Sequence, residues 1–411
     1  MIKMGNSTKT IVAINECDFG STGTIASSVL NYCEKQGMNS LLAVFRSVKK
    51  YDKEFIISGG KTINFLNRVL CRIDGSDGFR NHCATRKFIK ELKKIKPSIL
   101  HIHNIHGRYI NLKLLFKYAS KEQIPIIWTL HDCWSFTGRC AHFEIANCYK
   151  WKNRCGNCPS RKEYPASYVL DRTTSFLKKK SNLCASVKNL LTFVCPSKWL
   201  FNYLDESKNG AINKCVINNG IVEPPFFSEQ HLEEVRKHYG IQGKHIFMFA
   251  SSGYSPRKGL AFFNRLADEL SSDEKVFIVV GIEEKFKDKC SSNVINIGVI
   301  RDRQKMNELF AISSAFINTT LEDNFPTVNL ESLSNGTPVI TFNTGGSPET
   351  IDSKTGIVVE KGNYDQLKTV VEQFDKTHFS QKDCIERGHL FACEKMCEKY
   401  YSLISKAIRI K

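Results

Sequence analysis

The sequence predicts an α/β protein with two consecutive domains, and three observations support this fold class. The chain has 411 residues, which suits two domains of roughly 100–200 residues each. Short β-branched runs alternate with segments of helical periodicity, which is the pattern of a parallel sheet covered by helices on both faces. The alternation stops at a polar stretch around Pro224-Pro225 and then restarts. We therefore expect two Rossmann-like domains, over 1–222 and 223–380, and a helical segment over 381–411.

The first domain contains six apolar runs of strand length. In chain order these strand candidates are Ile11–Ile14, Leu41–Phe45, Ser98–His103, Ile124–Leu130, Leu191–Cys195 and Cys215–Ile217. Helical periodicity between them predicts helices over Thr24–Glu34, Arg86–Ile95 and Ile110–Tyr118 and another from Ser197. A cysteine-rich insert over 133–160 interrupts the alternation.

The second domain repeats the pattern after a charged helix near 232–237. Its strand candidates are His245–Ala250, Val276–Val280, Val294–Ile297, Ala315–Asn318, Pro338–Phe342 and Gly356–Val359. Helical periods separate them, including Gly259–Leu270 and Lys305–Ala311. Beyond residue 381, an apolar stripe predicts a helix that packs back towards the first domain; the stripe comprises Phe391, Cys393, Met396, Tyr400 and Leu403.

Composition limits the class of protein. With 42% hydrophobic and 24% charged residues, the chain is an ordinary folded protein and not a disordered, collagen-like or coiled-coil one. No apolar run approaches the roughly 18–20 residues that span a bilayer, and the N-terminal apolar stretch is too short for a signal peptide. We therefore expect a cytoplasmic protein whose 16 cysteines are mostly reduced. The net charge of +18 indicates an anionic partner: a polyanion, a membrane surface or a phosphorylated substrate.

The strongest motif runs from Leu321 to Glu331 and is followed by an SLSNGTPVI segment and by Thr344-Gly-Gly. Pro326 suits the first position of a helix, whose free amides at Thr327 and Val328 would form an anion site that fits a diphosphate. Asp323, before the helix, and Glu331, within it, would then reach different parts of one ligand. The alternative is that Asp323 only caps the helix and Glu331 only pairs with a lysine. The residues expected to bind the donor here are Asn324, Phe325, Pro326, Thr327 and Val328.

Two glycine-containing loops precede helices in the same way. The loop from Ser251 to Leu260 follows a strand and carries Arg257 and Lys258, and a lysine there can neutralise a leaving diphosphate without a metal ion. Near the N-terminus, Phe19–Thr24 opens a helix, and its small residues would let a phosphate approach; these are Gly20, Ser21 and Gly23. A lysine in a solvated loop without a ligand is the alternative for Lys258.

Histidines end two neighbouring strands of the first domain. His131 follows one strand, while His101 and His103 end the preceding one. Ligands bind at this carboxyl edge in open α/β sheets. The side chains of His101 and His103 could equally be hydrogen-bonded structural groups.

The insert carries a set of cysteines with metal-site spacing. Cys155 and Cys158 have the spacing of a zinc knuckle, and Cys140 and Cys148 would complete a four-thiolate site. Free thiols, or a disulfide or redox pair, are the alternatives. We expect a structural zinc ion and no catalytic cofactor.

Taken together, these motifs resemble those of the retaining nucleotide-sugar glycosyltransferases of family four, which have the GT-B fold, and most closely those of the colanic-acid type. The matching residues are Asp323, Glu331, Gly336–Val339, Gly345-Gly346, Lys258-Gly259, His131 and the Gly20 loop. The resemblance implies two Rossmann-like domains facing a cleft. It places Asp323 and His131 by the donor sugar and Glu331 on the nucleotide ribose, and we take His131, Lys258, Asp323 and Glu331 as the catalytic set.

The resulting functional expectation is transfer of a sugar from a UDP- or GDP-sugar to a saccharide acceptor in exopolysaccharide, capsule or O-antigen synthesis. A lipid-linked acceptor would place the protein at the inner face of the membrane. The amphipathic helix Arg86–Lys96, with five lysines, is a candidate for contact with anionic lipid or else an ordinary surface helix. Two alternatives are an epimerase of the same fold and a basic, zinc-containing nucleic-acid-binding protein. Because the basic residues are spread through both halves, we expect no nucleic-acid partner.

Overall fold

A computed structural model describes residues 8–48 and 53–409. The chain divides into two compact units: residues 1–218 together with 396–411 form the first, and residues 219–395 form the second. In this division, residues 381–395, which we expected to pack with the first domain, belong to the second unit.

The first unit is built on a parallel sheet with the strand order β3-β2-β1-β4-β5-β6-β7. The strands are β1 (Thr10–Cys17), β2 (Asn39–Arg46), β3 (Glu54–Ile56), β4 (Ile99–Ile102), β5 (Ile126–Thr129), β6 (Leu191–Cys195) and β7 (Asn213–Val216). The helices are α1 (Gly20–Lys35), α2 (Lys61–Asp74), α3 (His82–Ile95), α4 (Leu112–Lys121), α5 (Thr173–Ser186) and α6 (Lys198–Asp205). Continuous apolar runs in β1 and β4 are buried, as expected for strands covered on both faces.

The second unit has a parallel sheet with the order β10-β9-β8-β11-β12-β13. Its strands are β8 (His245–Ala250), β9 (Lys275–Val280), β10 (Val294–Gly298), β11 (Ala315–Asn318), β12 (Val339–Phe342) and β13 (Gly356–Val359). Its helices are α7 (Glu229–Tyr239), α8 (Leu260–Leu270), α9 (Arg303–Ile312), α10 (Thr327–Ser334), α11 (Tyr364–Glu372) and α12 (Gln381–His389). The prediction of two α/β domains is confirmed.

The boundary between the two units falls within the last helix, α13 (Cys393–Arg409). Its buried stripe is Met396, Cys397, Tyr400 and Ile404, so it is shifted from the predicted one. The Tyr400 hydroxyl lies 2.9 Å from Thr129 Oγ1 at the end of β5 and shares a hydrogen bond with it. Short 3-10 helices cover Lys150–Lys152, Pro256–Lys258, Glu284–Lys289, Pro348–Thr350 and Lys376–His378. None of the described helices is both long and apolar enough to cross a membrane.

Candidate functional site

Three loops meet at the carboxyl edge of the second sheet. They follow the neighbouring strands β8, β11 and β12 and cover 251–259, 319–326 and 343–347. Parallel strands end at a common edge, which is where ligands bind in open α/β sheets. The loops contain Lys258, Asp323 and the Gly345-Gly346 pair, all singled out in the sequence.

An ion pair joins the first two loops. Lys258 Nζ lies 2.6 Å from Asp323 Oδ2, and Arg257 Nη1 lies 3.8 Å from the same oxygen. Arg257 also donates to the backbone carbonyl of Glu322. The Lys258 and Arg257 side chains each keep 22% of their surface exposed. Two cations therefore lie beside one carboxylate at a place that solvent can reach.

Two glycines allow the loop backbones to approach each other closely. Gly259 has a φ of +77°, and a Cβ there would lie 1.9 Å from the carbonyl oxygen of Thr319. Gly345 has a φ of +58°, and its Cβ would lie 1.7 Å from the carbonyl oxygen of Asp323. That oxygen accepts a hydrogen bond of 3.0 Å from the Gly346 amide. Any larger residue at these glycines would displace the loop that holds Asp323.

Helix α10 begins directly after the Asp323 loop. Pro326 precedes the helix as its N-cap, with φ −69° and ψ 114°, so the expectation that it is the first helical residue was off by one position. The reason is that its ψ is extended and helical geometry starts at Thr327. The amides of Thr327 and Val328 still lie in the first turn, where a helix offers unpaired donors and a partial positive charge.

The two residues before Pro326 are buried. Phe325 is 2% exposed and packs with Ile221 and Leu330. Its carbonyl accepts a hydrogen bond of 3.1 Å from Asn219 Nδ2, and Asn324 is 7% exposed. The Phe325 side chain, which we expected to bind the donor, thus anchors the loop through packing.

Glu331 lies in the second turn of α10. Burial raises the pKa of Glu331 to about 7, and the positive charge of Arg303 opposes this shift. A hydrogen-bonded chain fixes the opposite side of the helix: Asn318 Nδ2 donates to Asn329 Oδ1 at 2.8 Å, and Asn329 Nδ2 donates to Thr350 Oγ1 at 3.0 Å. The helix that carries Glu331 is thereby fastened to β11.

In the first unit, the predicted glycine-containing loop opens α1. Gly20 and Ser21 are exposed in the first turn of the helix. Gly23 is buried, and a Cβ there would lie 2.5 Å from the carbonyl carbon of Asp18. Gly23 therefore serves close packing, whereas Gly20 and Ser21 leave the helix start open.

The strand-end histidines of the first unit form one cluster. His103 Nδ1 lies 2.9 Å from His131 Nε2, and His101 Nε2 lies 2.9 Å from Thr129 Oγ1. Burial lowers the pKa of His131 to about 4 and that of His101 to about 3. These imidazoles are therefore neutral at neutral pH and can both donate and accept hydrogen bonds.

A second polar group at this edge was not expected from the sequence. His106 Nε2 lies 2.7 Å from Asp132 Oδ2, and the Tyr164 hydroxyl lies 3.1 Å from His106 Nδ1. Burial alone would lower the pKa of His106, but the Asp132 carboxylate raises it. Asp132 stood out only as the neighbour of His131, and Tyr164 reaches the group from a loop 58 residues away. Neither residue belongs to a periodic pattern that could have indicated the contact.

The four cysteines of the predicted zinc site line one small cavity in the insert. Cys140, Cys148, Cys155 and Cys158 all border it, and the thiols of Cys140 and Cys158 share a hydrogen bond. Within residues 8–48 and 53–409, no three His, Cys, Asp or Glu side chains are already arranged to hold a metal ion. The thiols are the donors that zinc prefers, but their side chains would have to turn to bind it.

Comparison with known proteins identifies relatives for both sequence and fold. Residues 244–374 match the family model "Glycosyl transferases group 1". The protein named "Putative colanic acid biosynthesis glycosyl transferase WcaC" of Escherichia coli K12 is 27% identical over 315 residues, which cover 73% of each chain.

Solved structures with the same fold cover almost the whole chain. HepE of Anabaena in complex with UDP has a TM-score of 0.69 at 13% identity and covers 97% of this chain and 100% of its own. Sucrose-phosphate synthase of Thermosynechococcus elongatus has a TM-score of 0.69 at 12% identity and covers 98% and 100%. Residues 244–374 therefore form a domain of the glycosyl transferases group 1 type, and the chain has the GT-B fold.

Proposed function

We propose that the protein transfers a sugar from a nucleotide diphosphosugar to a saccharide acceptor, with retention of anomeric configuration, in exopolysaccharide, capsule or O-antigen synthesis. The relative from E. coli is named for colanic acid biosynthesis. HepE has been solved with UDP and with UDP-glucose. The observation that carries the proposal is the placement of Lys258, Arg257 and Asp323 beside the start of α10.

In this proposal the second unit holds the donor and stabilises its departure. Lys258 and Arg257 neutralise the developing charge of the nucleoside diphosphate, and the first amides of α10 donate to its oxygens. Because the protein supplies this positive charge, we propose that catalysis needs no metal ion. Asp323 orients Lys258 and meets the donor sugar, while Glu331 accepts hydrogen bonds from the ribose hydroxyls.

The acceptor hydroxyl attacks the anomeric carbon from the face that the diphosphate leaves. Its proton passes to the departing phosphate oxygen, so no protein nucleophile takes part. In the first unit, the open start of α1 at Gly20 and Ser21 suits a phosphate, and the neutral imidazole of His131 suits a sugar hydroxyl. We propose a cytoplasmic reaction on a lipid-linked saccharide.

A donor screen tests the proposal. Purified protein is mixed with UDP- and GDP-sugars, thermal stabilisation is measured, and release of nucleoside diphosphate is followed with and without saccharide acceptors. We expect one donor to stabilise the protein and its turnover to rise with an acceptor. Sugar isomerisation without an acceptor would favour the epimerase, and stabilisation by nucleic acid alone would favour the binding protein. Either result would overturn the proposal.

A further inference from the structure

Helix α2 (Lys61–Asp74) has its polarity reversed relative to an ordinary surface helix. A surface helix normally turns its apolar stripe to the core and its polar residues to solvent. Here the residues that α2 buries are Asn67, Cys71 and Asp74. Four of its six large apolar side chains are exposed, Ile63 by 38%, Phe65 by 66%, Leu66 by 54% and Val69 by 38%, and the other two, Leu70 and Ile73, are half-buried.

A neighbouring segment extends this apolar surface. The amides of Tyr168 and Leu170 donate to the carbonyls of Arg72 and Ile73 at the end of α2, at 2.6 and 2.8 Å. Tyr168, Val169 and Leu170 are exposed by 49%, 60% and 48%. We call the seven residues the α2 face: Ile63, Phe65, Leu66, Val69, Tyr168, Val169 and Leu170. Solvent-exposed apolar clusters of this kind mark interaction sites.

Basic side chains border the α2 face. Lys61, Arg68 and Arg72 are exposed on the helix. The acidic residue of α2, Asp74, is 4% exposed and pairs with Arg80 at 2.8 Å and with Arg172 at 3.1 Å. A cavity of about 420 Å³ opens beside the helix, and Arg80, Arg172 and Lys179 line it. The surface thus combines exposed apolar side chains with a cationic border.

We propose that the α2 face binds the surface of an anionic lipid bilayer. Helices that lie in a membrane interface have this composition, with large apolar residues inserted between basic ones. A second copy of the chain would bring the same cations against each other, so a symmetric dimer through this face is disfavoured. Binding to lipid does not depend on the proposed sugar transfer, so a negative result for either proposal would not contradict the other.

For the amphipathic helix that the sequence offered, the structure favours the alternative of an ordinary surface helix. Phe88 and Leu92 of α3 are 0% exposed and belong to the core of the first unit. The apolar side of α3 is therefore already occupied, and its lysines lie on the opposite, polar side. The basic segment Arg86–Lys96 is not the inserting element.

Co-sedimentation with vesicles tests the proposal on the full chain. One vesicle preparation is phosphatidylcholine alone and the other contains phosphatidylglycerol as well, each at low and at high salt. Three double variants are compared with the wild type: Phe65→Ser with Leu66→Ser, Arg68→Gln with Arg72→Gln, and, as a control with the same loss of charge on α3, Lys87→Gln with Lys90→Gln. Unfolding midpoints show whether each variant is folded.

The wild type should sediment with phosphatidylglycerol vesicles at low salt and less at high salt. At about 1 kcal/mol for each basic residue at the surface, the arginine variant should bind about 30-fold more weakly. The serine variant should lose binding at both salt concentrations, and the α3 control should change it less than about two-fold. Wild-type protein that stays in the supernatant overturns the proposal. Three other results would also overturn it. These are a folded serine variant that binds vesicles like the wild type, an α3 control whose binding weakens as much as that of the arginine variant, and a wild-type dimer that is lost in the serine variant.

Discussion

Lys258 Nζ lies 2.6 Å from Asp323 Oδ2, although 65 residues separate the two in the chain. The contact depends on the approach of two loops that end neighbouring strands, β8 and β11. It fixes the lysine charge beside the start of α10, so little reorganisation is needed when a diphosphate arrives. A bound diphosphate would compete with Asp323 for the same ammonium group, which couples donor binding to the orientation of the carboxylate.

Replacing Lys258 should therefore affect chemistry more than folding. We expect Lys258→Ala to lower turnover of the donor by about 100-fold or more, the scale of losing one preorganised charge contact. The matched control is Lys237→Ala, which removes an exposed lysine from the last turn of α7. Turnover and the unfolding midpoint are measured for both. A Lys258→Ala enzyme with wild-type turnover would contradict the assignment of the site.

The glycine turn below Asp323 gives a second prediction. Gly345 and Gly362 both have positive φ, +58° and +76°, but only at Gly345 does a Cβ collide with backbone. Gly362→Ala should destabilise the protein by about 1 kcal/mol, the cost of a left-handed conformation for alanine. Gly345→Ala should cost more and should also weaken donor binding, because it displaces Asp323. Denaturant unfolding and donor titration of the two variants separate these effects; equal behaviour would show that the collision is relieved without moving the loop.

The elements that the sequence predicts best are the buried parallel strands. Runs such as 246–250 lie in the sheet interior and are apolar along their whole length, so the pattern is independent of their partners. The motif around Asp323 and Lys258 was also predictable, because each residue lies in a connection between a strand and the following helix. The contact between Lys258 and Asp323 follows once β8 and β11, the strands that precede their loops, are placed next to each other in one sheet.

Three features could not be predicted. Strand β3 has only three residues, which is too short for a periodic signal. Helix α2 is amphipathic, but its period does not show that apolar residues face solvent. The contact of Tyr164 with His106 depends on how an irregular segment folds back over β4 and β5. Irregular backbone follows side-chain packing and local turns, and the hydrophobic period carries no information about it.

Zinc binding in the insert stays a prediction. Cys140, Cys148, Cys155 and Cys158 border one cavity, and a closed four-thiolate site would order the insert without catalysing a reaction. We expect one zinc per chain by elemental analysis of protein purified without added metal. Cys155→Ser should lose the metal and lower the unfolding midpoint. Cys83→Ser, which replaces an exposed cysteine of α3, is the control.

Other outcomes identify the alternative states of these thiols. Metal-free protein in which all four react with a thiol reagent would indicate free cysteines. Metal-free protein with two unreactive thiols that react after reduction would indicate a disulfide. Both outcomes would contradict the zinc site.

Glu331 gives a prediction in which stability and ligand binding respond to pH in opposite directions. Burial raises the pKa of its carboxyl group from 4.5 to about 7 in the folded protein. Between these values the folded state holds a proton that the unfolded state has released, so this group makes stability fall as pH rises, by up to about 1.4 kcal/mol per pH unit. The contribution is complete below 4.5 and lost above about 7. Binding of ribose hydroxyls, which donate to an ionised carboxylate, should instead strengthen through the same range.

Glu331→Gln separates the two effects, because an amide keeps the size of the side chain and does not titrate. The difference in unfolding free energy between the variant and the wild type should increase in favour of the variant as pH rises from 4.5 and level off above about 7. The variant should also bind the donor more weakly, and its affinity should lose the rise with pH. Denaturant unfolding and donor titration across this range measure both quantities. A difference in stability that does not change with pH would show that the Glu331 carboxyl titrates as it does in the unfolded chain.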